Sequence, residues 1–91
     1  MKKLAKPVSV IEVEGEGLIK YLGQKVILMC MNYNYVGTLE GVNETHVQLG
    51  EDAAICYDTG PWTNKTWQDA QAIGHEFNVM IDKIESFGLG K

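Results

Sequence analysis

The side chains able to do chemistry in this chain are few and scattered. His46, His75, Cys30 and Cys56 are its only histidines and cysteines, four possible zinc ligands. None of them stands at CxxC or HExxH spacing, so the pattern predicts no metal site. No nucleophile elbow and no phosphate-cradling glycine loop occurs. Glu12, Glu14, Glu16 and the pair Glu51-Asp52 have the spacing of solvated faces and turns. No catalytic residue and no cofactor is therefore expected. What remains is recognition chemistry. Trp62, Lys65 and Trp67 set a cation between two indoles, a combination that stacks and neutralises single-stranded nucleic acid. The same tryptophans would equally pin a loop onto the domain, since tryptophan is mostly buried on average. Tyr33 and Tyr35 flank a turn and offer further rings. Asn43, His46 and His75 can hydrogen-bond base edges, phosphate or a 2′-hydroxyl.

Short elements must position these groups. Gly17 to Leu22 carries apolar residues at helical spacing, with Gly23 at the expected stop, and predicts a short helix. Val26 to Met31 is apolar at every position. Such a strand needs cover on both faces, one from the core and one from the short helix or a neighbouring subunit. Tyr35 to Val42 reads as a second strand, with Gly37 and Gly41 marking bends or bulges. After a tight reversal at Asn43-Glu44-Thr45, His46 to Gly50 alternates with Val47 and Leu49 inward. Ala53 to Tyr57 is a fourth strand, and Phe77 to Ile81 a fifth that runs on towards Ser86. A long insert, 58–75, separates them. Within it Thr66 caps a predicted helical turn or two reaching Ala72. Gly88 to Lys91 is expected to be a loose tail, and Val8 to Glu14 an arm or extra strand.

Ninety-one residues correspond to one domain with a marginal core of its own. Net charge is −4 and arginine is absent, which argues against a broad basic face for duplex DNA. A small site for single-stranded RNA remains compatible with that balance. Lys2, Lys3 and Lys6 form a basic tip of the kind that usually frays. The two cysteines lie inside apolar runs and are expected to be reduced core residues. No apolar stretch follows the N-terminal lysines as a signal sequence requires, so a cytoplasmic location is expected. The longest apolar run falls far short of a membrane span.

Gly37-Thr38-Leu39-Glu40-Gly41-Val42-Asn43 resembles the core of the first motif of the Sm-like family of RNA-binding ring proteins. That motif runs glycine, any residue, apolar, two of any kind, apolar, aspartate. Ile73-Gly74-His75-Glu76-Phe77-Asn78-Val79-Met80-Ile81 is similar to the second motif, which leads into the last strand. Together they cover roughly residues 17 to 84, less the insert. The resemblance implies a mainly β fold: a short N-terminal helix, then a strongly bent five-stranded antiparallel small barrel. The 58–75 insert would separate strands four and five.

It also implies a homo-oligomeric ring of roughly five to seven subunits that binds single-stranded RNA near its pore without catalysis. Asn43, Thr45 and His46 from the first motif and Gly74 and His75 from the second would form that site. Asn43 stands where the family has aspartate. The Asn43–Val47 segment has the shorter length of the bacterial Hfq branch, and Thr45 falls where that branch has a stacking aromatic. Gly74-His75 stands where members carry Arg-Gly or Lys-His, so only the histidine corresponds. A second possibility keeps the barrel but makes it an assembly module, with Trp62 and Trp67 contacting another protein and little or no RNA bound.

Overall fold

The computed structural model describes residues 17–91. The arm expected at Val8–Glu14 lies outside them. Seven antiparallel strands form one sheet system: β1 (Lys25–Cys30), β2 (Asn34–Val42), β3 (His46–Leu49), β4 (Ala54–Cys56), β5 (Gln71–Ala72), β6 (Phe77–Met80) and β7 (Ile84–Leu89). The sequence predicts five. The difference arises where long strands break. β3 and β4 run in order along the same β2, from Val42↔Val47 to Asn34↔Cys56. β6 and β5 pair in turn with β3 and β4. On the far side β1 lies between β2 and β7. The fifth predicted strand does not run through to Ser86. It stops at Met80, makes one 3-10 turn (Ile81–Lys83), and resumes as β7. Among the described residues β6 and β7 do not pair with each other, so the sheet stays open.

The breaks have local causes. Gly37 sits where β2 passes the β3–β4 joint, and a methyl there would lie 3.0 Å from Ala53 Cα and 3.3 Å from Leu49 Cβ. Only glycine admits that approach without a backbone shift. At the joint itself, Asp52 accepts hydrogen bonds from Thr38 N and Thr38 Oγ1, both at 2.8 Å, with Lys25 Nζ 3.9 Å away. Partial burial pushes the Asp52 carboxyl up, but the Thr38 bonds and Lys25 outweigh it and hold the group below its ordinary value. The residue expected to be a solvated turn acid therefore staples the joint to β2. Gly41 lies at the register shift between Leu39 and Gly41 that bends the far half of β2.

The core gathers Leu18, Val26, Leu28, Leu39, Val47, Leu49, Ala53 and Val79. Burying each leucine contributes roughly 1.5–3 kcal/mol. The predicted helix is a single 3-10 turn, Leu18–Tyr21, whose Leu18 belongs to this core. It does not cover the second face of β1. That face carries Ile27, which pairs with Val36, while Asn34 pairs with Cys56. Ile27, Val36 and Cys56 are all buried. The insert lies on this side: a methyl on Gly90 would touch both Trp67 and Lys25. Lys91 is near enough for its charge to act on the Cys56 thiol. An all-apolar strand is thus satisfied by core on one face and insert on the other. Residues 66–70 form turns, not the predicted helix, and Gln71–Ala72 pairs with β4 as a strand.

Candidate nucleic-acid interface

The turn between β2 and β3 is held by one side chain. Asn43 Oδ1 accepts from Thr45 N at 2.8 Å, His46 N at 3.0 Å and Thr45 Oγ1 at 3.1 Å. Asparagine favours such turns because its carbonyl mimics a backbone acceptor. Its carbonyl is spent inward, and among the described residues its Nδ2 has no hydrogen-bond partner. Thr45 Oγ1 also lies 2.9 Å from His46 Nδ1. A hydroxyl has one proton. Given to Asn43, it makes Thr45 the acceptor for His46 Nδ1–H, which leaves Nε2 without a partner among the described residues.

A second turn meets the first. Ile81 N donates to Thr45 O at 2.9 Å, and His46 pairs with Met80. The 3-10 turn Ile81–Lys83 therefore stands beside Asn43–His46, and it carries the exposed pair Asp82 and Lys83. Gly74 and His75 are elsewhere. β6 runs antiparallel to β3, with Phe77 opposite Leu49, so His75 lies at the far end of the strand pair. Its Nδ1 is 2.7 Å from Glu76 O, and Gly74 takes φ of 93° to turn the chain into β6. The expectation that His75 joins Asn43 is overturned by this strand direction. The residue on the Ile81–Lys83 turn that the sequence motifs do not single out is Lys83, an exposed cation. A signal for it existed: Phe77, Val79 and Ile81 alternate on odd positions, and Ile84 breaks that phase. A slip of one residue marks a strand interruption.

From Lys83 a groove of about 380 Å³ runs along β6 to the β1–β2 turn, lined by Cys30, Met31, Asn32, Tyr33, Tyr35, Phe77, Asn78, Val79 and Met80 as well. Clefts for small ligands are roughly 300–1,000 Å³. Tyr35 stacks on Phe77 at 5.5 Å between centroids, and Tyr33 approaches Tyr57 at 4.8 Å. Burial, then Cys30 and Tyr33, raises the Tyr35 phenol above its ordinary value. A hydrogen bond with Tyr33 does so first for Tyr57. Both shifts favour the neutral phenol, and no Asp or Glu is among the residues lining the groove. Cys30 is likewise raised, by burial and then by Glu85.

The insert residues form a separate cluster. Trp62 and Trp67 meet edge to face at 5.3 Å. The cation over them is Lys91, not Lys65, which is exposed. The expected loose tail is therefore tied down, with Gly90 N also donating to Lys25 O. Among the described residues no three of His, Cys, Asp and Glu gather to hold a metal ion. No helix there is long and apolar enough to cross a membrane. In comparison with known proteins the chain matches no family model, no curated protein and no solved structure.

Proposed function

We propose that this chain is a non-catalytic, Sm-like subunit that binds single-stranded RNA and assembles edge to edge into a homo-oligomeric ring. The observation that carries this reading is the Ile81 N to Thr45 O hydrogen bond, which brings the Ile81–Lys83 turn beside the Asn43–His46 turn. On this reading the two turns offer the Asn43 amide, the His46 imidazole and the Lys83 ammonium to one ligand, with Asp82 beside them. The three groups suit a base edge, a 2′-hydroxyl and a phosphate. The neighbouring groove adds neutral aromatic rings for stacking.

Topology supports the barrel. Taking β3 with β4 and β5 with β6 as two kinked strands leaves five, in the order β7, β1, β2, β3/β4, β5/β6. Ring assembly draws on the outer edges of β6 and β7. Among the described residues each pairs on one side only, and Met80, Phe87 and Leu89 stand about half exposed there. Apolar edges left unpaired favour strand-to-strand joining, and a repeated head-to-tail contact closes when its rotation permits.

Fluorescence polarisation with short U-rich and A-rich RNA, beside light scattering on a sizing column, tests both parts. Saturable binding by a species of roughly five to seven subunits is expected. An assembled ring that binds neither RNA at low salt sinks the RNA reading. In that case the half-exposed Trp62 makes the insert the next surface to probe, as a contact for a protein partner.

A further inference from the structure

The insert is built as a receptor, and its occupant is this chain's own lysine. Lys91 Nζ donates to Thr59 O at 2.7 Å, Pro61 O at 3.0 Å and Thr66 O at 3.0 Å. It stands 4.6 Å from the Trp67 ring centroid and 5.8 Å from that of Trp62. The two rings are perpendicular, at 88°, so they wall the ammonium on two sides. An ammonium group has three N–H donors, and three carbonyls meet it here. The ring faces add cation–π attraction. No carboxylate takes part in these contacts, so the match is to shape and donor number as well as to charge.

The loop also has internal ties that do not involve Lys91. Asp69 Oδ1 accepts from Tyr57 N and Asp58 N at 3.1 Å each. Asp58 in turn accepts from Gly60 N at 2.9 Å and from Gln68 Nε2 at 3.0 Å. Asn64 N donates to Pro61 O at 3.0 Å. Gly60 takes φ of 69°, which turns the Thr59 and Pro61 carbonyls round the loop. Two aspartates thus hold the acceptors in place from within the loop, and preorganised acceptors bind more tightly than mobile ones.

We propose that the 57–70 insert is a binding site for a primary alkylammonium group, the head of an unmodified lysine, which Lys91 fills in cis. Covalent linkage gives Lys91 a high effective concentration, so it shuts out other amines while it is seated. Loss of its charge empties the site for a lysine of another molecule. A guanidinium fits less well, because its donors fan out in a plane from three nitrogens instead of converging on three carbonyls from one. The site is remote from the Asn43–Lys83 pair and stands whether or not RNA is bound there.

Trp62 and Trp67 are the chain's only tryptophans, so emission excited selectively from tryptophan, clear of the four tyrosines, reports on this site alone. The test compares full-length wild type, K91A, K91R and the double variant K91A/W67A, with circular dichroism confirming the sheet in each. Each is titrated with n-butylammonium and n-butylguanidinium chloride at constant ionic strength. Emission of K91A and K91R should shift from wild type. K91A should give a saturable response to n-butylammonium that wild type lacks, weaker by about fivefold or more for n-butylguanidinium and for K91A/W67A. The proposal is overturned if K91R keeps the wild-type spectrum. It is equally overturned if folded K91A responds to neither cation, or to both alike.

Discussion

Asn43 does two jobs with two ends of one amide, and substitution can separate them. Its carbonyl closes the β2–β3 turn with three hydrogen bonds. Its amide nitrogen is the proposed base-edge donor. Asn43→Asp keeps the acceptor and removes the donor. Asn43→Ala removes both. Because the turn is exposed, water replaces part of what alanine loses, and the net cost is about 1–1.5 kcal/mol, similar to a lost helix cap. For a domain of this size that lowers Tm by roughly 4–10 °C. The same loss loosens Thr45, whose carbonyl anchors Ile81 and with it Lys83. Aspartate should leave stability within about 0.5 kcal/mol of wild type, as surface substitutions that keep their bonds do. It nevertheless loses a donor and brings a negative charge to a phosphate-bearing ligand, which costs roughly 1.5–3 kcal/mol, tenfold or more in Kd. Thermal melts and RNA titrations on both variants decide the matter. An Asn43→Asp protein that binds RNA as tightly as wild type refutes the role of the amide. An Asn43→Ala protein with an unchanged melt refutes the cap.

Lys83→Ala should weaken RNA binding and reduce the slope of log K against log salt by about 0.7, the value for one single-strand phosphate contact; His75→Ala, at the far end of β6, should leave both unchanged, and the reverse result would move the site. Asp52→Asn should cost about 0.5–1.5 kcal/mol at pH 7, since its bonds to Thr38 are charge-assisted but partly exposed. The folded Asp52 carboxyl lies below its unfolded value of about 3.9, so its contribution is full above that pH and is lost as pH falls through the folded value. Melts of wild type and variant should converge in acid, and a gap that persists at the lowest pH would contradict the staple. Thiol labelling should reach half-buried Cys30 before Cys56, which is 1% exposed. Burial raises both thiols, so both should react more slowly than free cysteine at pH 8 and alike in urea. Equal rates in the folded protein would contradict the packing.

Strand positions were legible because alternation and glycine are local signals. Val47 and Leu49 point inward as their period requires, and Gly37 marks the close approach to Ala53. The breaks were less legible. Whether β3 and β4 are one strand depends on Asp52 reaching back fourteen residues to Thr38, which no local pattern encodes. The insert misled for a related reason. Thr66 and Asp69 have the spacing of a helix start, yet Asp69 spends its carboxylate on Tyr57 N and Asp58 N. Lys91 looked like a tail end because its three acceptors lie 25 to 32 residues earlier. Of the proposed site, Asn43 and His46 stand out in the sequence, while Lys83 enters only once the last predicted strand is seen to break at the Ile81–Lys83 turn.

Net charge and composition weigh against strong RNA binding by a lone copy. One cation, Lys83, serves the turn pair, and Thr45 puts no ring there. A single site of this kind holds a nucleotide weakly. Joining β6 of one copy to β7 of the next would repeat the Asn43–Lys83 pair around an axis, because β6 and β7 flank that very turn. A strand of RNA crossing several such sites gains through effective concentration what each lacks alone. On the proposed reading the open edges and the weak site are linked. Edges that remained single would leave a β domain with exposed Met80, Phe87 and Leu89, at risk of unspecific strand pairing. Closure protects those edges and multiplies the site in one step, so RNA affinity should rise and fall with assembly.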